Sequence, residues 1–241
     1  VIGPESVEAA SPAPVINFKG TKDDGTVDNP DASGAVGPNH VMHVNNQEYV
    51  IYNKSGTVLS SDSPDDFWAD YDTIAVAIGY PHVVYDALKG HYYILTLAGD
   101  FSTGNYAVLF GSSDTNDPSG TWTTYEVDLG AQFIQDAPLF GYSKRWFTLT
   151  TVQYDTASPN DFNSAGVILM SLDDMIGGTL ATIYGVDDTN FFSLSPVETL
   201  DANVNDHYMI NNLGSDSDTG YLYIVHIGGT TAAPTYNYDD Y

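Results

Sequence analysis

The chain has 241 residues, no cysteine, and 32 acidic against six basic residues, which gives a formal net charge of −26. A field this negative excludes nucleic acid as a partner, since phosphate contacts need clustered lysine and arginine, and it disfavours anionic membrane surfaces. The lack of cysteine excludes disulfide bonds and a thiol nucleophile. No apolar run approaches the roughly 18 residues of a membrane span, so we expect no direct membrane insertion.

The acidic surplus also indicates an environment. Charge of one sign repels itself unless salt or divalent cations screen it. The composition therefore fits a salt-rich or marine medium, or a calcium-replete extracellular space, while solubility alone is the simpler explanation. The first residue is Val1 rather than methionine. We expect a mature secreted or surface-displayed protein, from a bacterial cell or a virion, whose signal peptide has been removed.

Residues 1–33 are expected to form an extended leader. Prolines at positions 4, 12, 14 and 30 forbid a continuous helix in this segment. The stretch Val15-Ile16-Asn17-Phe18 is a candidate edge strand. The leader is thus a candidate closing strand for the structure that follows.

From about residue 34 a motif of apolar strand, polar turn and aromatic-rich strand returns roughly every 40–50 residues, a period typical of β-propeller blades. We predict an all-β propeller whose domain spans 34–241. Its recognisable four-stranded blades number about four, and they lie at about 34–60, 79–128, 134–185 and 195–238. Either the ring closes at four or five blades, or the chain belongs to a larger ring.

Connecting segments and one helical turn complete the predicted architecture. A polar connector at 61–72 carries Phe67 and Trp68, and a long exposed loop is expected at 154–163. The helical signal lies at 172–176, where two glycines follow and end it. Rigid blades would hold the connector and the loop as variable segments, which is where propellers usually present contacts.

Four segments carry a family pattern: GAVGPNH at 34–40, IYNKSG at 51–56, PHVVYD at 81–86 and DPSGTW at 117–122. In these segments the chain resembles bacterial extracellular β-propeller proteins related in fold to sialidases, and the last segment resembles their Asp-box turn. The resemblance implies a fold and no activity. A sialidase would need three arginines to clamp the substrate carboxylate. This chain has one, Arg145, so we exclude sialidase activity.

Acidic residues are the candidates for catalysis if the chain is an enzyme. Glycoside hydrolysis needs two carboxylates about 5–10 Å apart, a requirement that 32 acidic residues always meet on paper. Inner strands of a propeller line its central channel, so the candidates are the predicted inner-strand residues Asp86, Asp136 and Asp201. The competing interpretation is that these aspartates cap strand ends.

Calcium is the expected cation, because hard cations take oxygen ligands. Two acidic loops supply candidate ligands, namely Asp23, Asp28 and Asp31 in the first loop and Asp216 and Asp218 in the second. Neither loop has the spacing of an EF-hand. Ordinary solvated turns are therefore the alternative interpretation.

Five aromatic residues are candidates for a ligand-binding surface, because they are predicted to lie in loops and aromatic rings stack on sugar faces. They are Phe67, Trp68, Tyr71, Tyr80 and Tyr154. We predict a non-catalytic binding or assembly module that recognises a glycan or a protein, including a second copy of itself. The alternatives are an extracellular polysaccharide hydrolase or lyase that uses channel carboxylates, and a structural subunit of an extracellular or virion-surface assembly.

Overall fold

The computed structural model describes residues 13–22, 25–26, 29–71, 77–100, 104–158, 161–214 and 220–240. Within them the chain forms four antiparallel sheets of four strands, and the strands of every sheet follow chain order. Blade 1 contains β1 (Ser33–Val36), β2 (His40–Val44), β3 (Tyr49–Asn53) and β4 (Val58–Asp62). Blade 2 contains β5 (Ala77–Asp86), β6 (His91–Asp100), β7 (Asn105–Ser113) and β8 (Trp122–Gly130).

Two further blades and two short helices complete the described structure. Blade 3 contains β9 (Phe133–Tyr142), β10 (Trp146–Asp155), β11 (Phe162–Ser171) and β12 (Ile183–Asp188). Blade 4 contains β13 (Ser195–Pro196), β14 (His207–Gly214), β15 (Gly220–Thr230) and β16 (Ala233–Asp240). The helices are α1 (Pro64–Phe67) in the connector and α2 (Leu172–Ile176) at the predicted place. No helix of the described residues has the length and apolar composition needed to cross a membrane.

The blades are arranged around a common axis by their first strands. β1 packs against β5, β5 against β9, and β9 against β13, so the inner strand of each sheet contacts that of the next. This arrangement confirms the predicted all-β propeller. Within the described residues β13 does not pack against β1 to the extent of the other three pairs, so the four blades form an open arc. The division into a leader at 1–33 and a propeller domain from 34 stays a prediction.

Hydrophobic cores lie between successive blades, which explains the apolar character of the middle strands. A strand in the middle of a blade is covered on both faces, and it therefore needs apolar residues without a polar alternation. In β7 every residue except the first is buried. Phe110 of this strand stacks on Phe147 of β10, with ring centroids 5.9 Å apart, in the core between blades 2 and 3.

The described part of the leader packs on blade 1, on the face that points away from blade 2. Phe18 contacts Tyr52 with ring centroids 5.4 Å apart, and Thr21 Oγ1 lies 3.0 Å from Nδ1 of His43. The prediction of an edge strand at 15–18 is wrong, because residues 13–22 pair with no sheet and Val15 is 99% exposed. Side-chain contacts, rather than a β ladder, hold this segment.

Candidate functional site

A strained backbone position occurs near the start of three inner strands. Asp31, just before β1, has φ 44°, Tyr80 in β5 has φ 57°, and Ala137 in β9 has φ 44°. In the left-handed region a residue with a side chain is disfavoured by roughly 1–2 kcal/mol. The strand pairing shifts register at Tyr80 and near Ala137, which marks bulges. Bulges redirect side chains, and such strain concentrates at functional sites.

The bulges bring together side chains from three blades, which we call the axial cluster: Asp31, Asn46, Tyr80, Asp136 and Tyr154. Asn46 joins two of them, since its Nδ2 group donates to Asp31 Oδ2 at 2.8 Å and its Oδ1 accepts from the Tyr80 backbone N–H at 3.0 Å. Partial burial, hydrogen bonding to Asp136 and the charges of Asp136 and Asp31 together raise the pKa of Tyr80 to about 12. The Tyr80 hydroxyl group is thus hydrogen-bonded to Asp136 and lies within electrostatic range of Asp31.

The surroundings of the cluster are partly shielded from water yet reachable. Burial lowers the pKa of the neighbouring His82, against the opposing effect of Asp31, so this ring is neutral near pH 7. Tyr80 nevertheless keeps 37% of its surface exposed. A ligand can therefore contact both an aromatic ring and carboxylate oxygens. Those are the groups that hold the faces and hydroxyls of sugars.

The structure separates the three acids predicted as catalytic. Asp86 is 1% exposed, and its carboxylate accepts from the backbone N–H of Leu88 at 2.7 Å and from the Tyr93 hydroxyl at 2.9 Å. Asp201 is exposed, and it accepts from the backbone N–H of Asn203 at 2.8 Å. Asp86 lies six residues beyond Tyr80, about 20 Å along the strand. Of the three, Asp136 alone reaches the axial cluster, while the other two organise turns.

Trp68 of the connector is buried, so the expectation that it lies at an exposed surface is wrong, while Phe67 and Tyr71 are half-buried and their role in ligand binding stays a prediction. Helix α1 turns Trp68 into the core between blades 1 and 2, where it is 2% exposed and its Nε1 donates to the Tyr49 hydroxyl at 3.3 Å. Phe67 packs edge-on against Trp68. The Tyr71 hydroxyl donates to Thr124 Oγ1 at 3.0 Å. These contacts join the connector to the blades.

Tyr154 lies in a strand rather than in the predicted loop. It pairs with Phe162 across the β10–β11 hairpin, after a bulge that follows Gln153. The hairpin is therefore shorter than predicted. The axial cluster unites Asp31, Tyr80, Asp136 and Tyr154, which were separate metal, aromatic and catalytic candidates. Sequence analysis missed Asn46, and its turn carries no signal that it reaches back to two other segments.

The calcium prediction falls mostly on segments outside the described residues. Asp23, Asp28, Asp216 and Asp218 all lie outside them. Asp31 is described, and one of its oxygens accepts from Asn46. In the described ranges no group of three or more histidine, aspartate or glutamate side chains converges to hold a metal ion. Calcium binding therefore stays a prediction.

Comparison with known proteins finds distant structural neighbours. No protein-family model matches the chain, and no curated protein matches it. A GH43 endo-arabinanase from Bacillus licheniformis is similar, at 13% identity and a TM-score of 0.43, over 87% of this chain and 74% of that one. An exo-1,5-α-L-arabinanase from a bovine ruminal metagenomic library is 12% identical, with a TM-score of 0.38, over 87% of this chain and 96% of that one. An exo-β-1,3-galactanase from Clostridium thermocellum is 12% identical, with a TM-score of 0.26, over 94% of this chain and 62% of that one. The assignment of the chain as a β-propeller rests on its own four sheets.

Proposed function

We propose that this chain is an extracellular protein that hydrolyses a neutral polysaccharide at the axial cluster, with Asp31 and Asp136 as the working carboxylates. The observation that supports this proposal is the position of Tyr80, a strained and partly exposed residue of blade 2. Carboxylates from the chain before blade 1 and from blade 3 both raise the pKa of its hydroxyl group. Two carboxylates around a space that a sugar can enter are the minimum for glycoside hydrolysis.

Each of the two carboxylates is held by a hydrogen-bond donor from another blade or turn. The pKa of Tyr80 is raised to about 12, so its hydroxyl keeps its proton at neutral pH and donates to Asp136. Asn46 holds one oxygen of Asp31 in the same way, at 2.8 Å. In this scheme one of the two carboxyl groups protonates the leaving sugar oxygen and the other acts as base or nucleophile. Tyr80 is a positioning residue in this scheme.

Charge and composition favour a neutral substrate. A net charge of −26 repels anionic polymers. The one arginine, Arg145, donates to the backbone carbonyl of Gly229, on the blade 4 side of the molecule. It therefore offers no clamp for an acidic sugar, and we do not propose sialidase chemistry. The relationship to sialidase-like propellers stays a prediction.

A second candidate function is recognition of the same polysaccharide without cleavage. The rings of Tyr80 and Tyr154 lie beside carboxylates that accept hydrogen bonds from sugar hydroxyls. That arrangement suits binding as well as hydrolysis. The two functions are distinguished by whether wild-type protein releases new reducing ends from a polymer that it binds.

The test uses arabinan, β-1,3-galactan, xylan and mannan as soluble probes, with calorimetric binding and reducing-end release measured for each. We expect wild-type protein to cleave at least one polymer. Asp136→Asn and Asp31→Asn should each lower the cleavage rate at least about a hundredfold, with binding kept within a few-fold. The matched control is Asp201→Asn, at an exposed turn, which should cleave normally. Binding without cleavage by wild-type protein would support the second candidate, and neither binding nor cleavage would contradict both.

A further inference from the structure

A groove of about 350 Å³ lies between blades 2 and 3, outside the axial cluster. We call it the interblade groove, and its lining includes Leu129, Gln135, Thr151, Gln153, Gly166 and Gly185. Its volume is within the range of small-ligand sites, roughly 300–1,000 Å³. Gln135 directly precedes Asp136 in β9, so this strand contributes one residue to the groove and the next to the axial cluster.

The groove is open because the face of blade 3 that points towards blade 2 is apolar at one end of its strands and polar at the other. Towards one end, Phe147 and Leu149 of β10 pack in the core with blade 2. Towards the other end the same face carries polar or very small residues. The strand register aligns Gln135 with Gln153 and Ser164, then Thr151 with Gly166 and Asp187, then Ile168 with Gly185. Two glycines in neighbouring strands leave this part of the sheet bare.

Two buried amide side chains point into this bare area. Gln135 is 3% exposed and its Oε1 accepts from Thr151 at 2.8 Å, while Gln153 is 6% exposed and its Oε1 accepts from Ser164 at 2.6 Å. Within the described residues the Nε2 group of either side chain has no protein partner. A hydroxyl group can hydrogen-bond either to the oxygen or to the nitrogen of an amide. Whichever of these two atoms bonds to the hydroxyl group, the other one faces the groove. Neither Nε2 group is among the buried polar atoms that lack a partner, so both can be reached from the groove by water or a ligand.

Gly166 explains how the amide of Gln153 is accommodated. A Cβ atom at this position would lie 2.6 Å from Gln153 Nε2 and 2.6 Å from Thr151 Oγ1. Any side chain there would displace the polar groups. The glycine therefore keeps the amide on the groove surface, although glycine weakens a strand interior.

The lining defines the chemistry of the ligand. It offers three glutamine amides, the Thr151 hydroxyl and two aspartate carboxylates beside apolar surface from Val127 and Ile168, and its described residues include no lysine or arginine. Such a surface suits a neutral molecule with many hydroxyl groups and an apolar face, and it disfavours a phosphate or carboxylate. We infer that the interblade groove is a second sugar-binding site, which holds the polysaccharide chain as it leaves the axial cluster. This inference rests on the proposed function.

Gly185 allows a direct test, because a Cβ built there meets no atom within 4 Å. Gly185→Val places an apolar side chain in the groove and adds a residue that strands favour. The control is Gly20→Val, at another described glycine with open space around its Cβ. Melting curves should show both variants folded.

With the four polysaccharides named above, we expect Gly185→Val to raise KM for the cleaved polymer about tenfold with kcat unchanged, as for lost uniform binding. Gly20→Val should match wild type. The side-chain amide resonances of Gln135 and Gln153 should shift when the bound polymer's oligosaccharides are added to labelled protein. Unchanged KM and unmoved resonances in a protein that cleaves polymer would overturn this inference alone. Failure of wild-type protein to bind any of the four would overturn the proposed function and this inference together.

Discussion

His207 of β14 is fully buried, and neither of its ring nitrogens has a hydrogen-bond partner among the described residues. Burial lowers the pKa of this histidine to about 3. The ring is therefore neutral in the folded protein, whereas in the unfolded chain it takes up a proton as the pH falls below about 6.5. The folded state gains its full advantage above pH 6.5 and loses it progressively between pH 6.5 and 3.

This difference predicts an acid sensitivity that one substitution removes. When the pH falls from 7.5 to 5.5, the unfolded chain takes up a proton that the buried ring does not. The free energy of unfolding should therefore fall by about 1.4 kcal/mol, the equivalent of one pKa unit. His207→Leu should lack this component, even though the variant has a different stability at pH 7.5. Urea denaturation at the two pH values measures it, with His226→Gln as a partly exposed control. Equal pH dependence in wild type and His207→Leu would contradict the assignment.

Residue types predicted the members of the axial cluster better than they predicted its assembly. Tyr80, Asp136 and Asp31 were each singled out for a different reason, as an aromatic, a carboxylate and a cation ligand. Their convergence depends on left-handed backbone at two of these positions. Local sequence carries little sign of that conformation, because tyrosine and aspartate are not glycine.

At the scale of the element, Asp86 shows how one side chain holds a hairpin. Its carboxylate accepts from two backbone N–H groups of the β5–β6 turn and from the hydroxyl of Tyr93. Burial raises the pKa of Tyr93 far above its ordinary range, and the nearby Asp86 charge adds to this effect. The hydroxyl therefore stays a donor at any pH at which the protein is studied.

Removing this carboxylate should destabilise the fold rather than abolish a reaction. Asp86→Ala leaves a buried tyrosine hydroxyl without a partner, so we expect the free energy of unfolding to fall by about 3 kcal/mol. Asp86→Asn, which keeps an acceptor oxygen, should lose less. Asp201→Ala, at an exposed turn, should change stability by no more than about 0.5 kcal/mol. Urea titration of the three variants measures these values, and a fully stable Asp86→Ala variant would refute the capping role.

Strands and hairpins could be predicted, while the course of the connector could not. The repeat marks each blade because apolar strands and polar turns alternate locally, and the turn before Trp122 forms as expected, with Asp117 accepting from the backbone of Ser119. Phe67 and Trp68 sit among aspartates and serines, so composition alone places them at the surface. The burial of Trp68 depends on the neighbouring blade, and that is a long-range property.

At the scale of the molecule, acidic charge is almost unpaired. In the part of the chain that the structure describes, Lys89 and Asp173, 2.5 Å apart, form the one ion pair that involves lysine or arginine. Repulsion among the remaining carboxylates acts against the compact state. Salt shortens its range, from about 30 Å at 0.01 M to about 10 Å at 0.1 M.

Stability should therefore rise with ionic strength. Between 0.01 M and 0.5 M sodium chloride we expect a gain of about 2 kcal/mol, or roughly 4–8 °C in melting temperature for a chain of this size. Choline chloride at equal ionic strength should act equally, since screening does not depend on the cation. A melting temperature that stays constant or falls would show that carboxylate repulsion is not a main term.

Asp31, Tyr80 and Ala137 occupy matching left-handed positions near the start of three successive inner strands. At Tyr80 and Ala137 strand pairing resumes on both sides of the bulge and holds the backbone in this conformation. A substitution at one of these three positions changes a group presented near the axis and leaves the other two positions as they are. Because the blade repeats, new specificity can arise by substitution at one of these positions at a time, while the strands of the propeller stay the same.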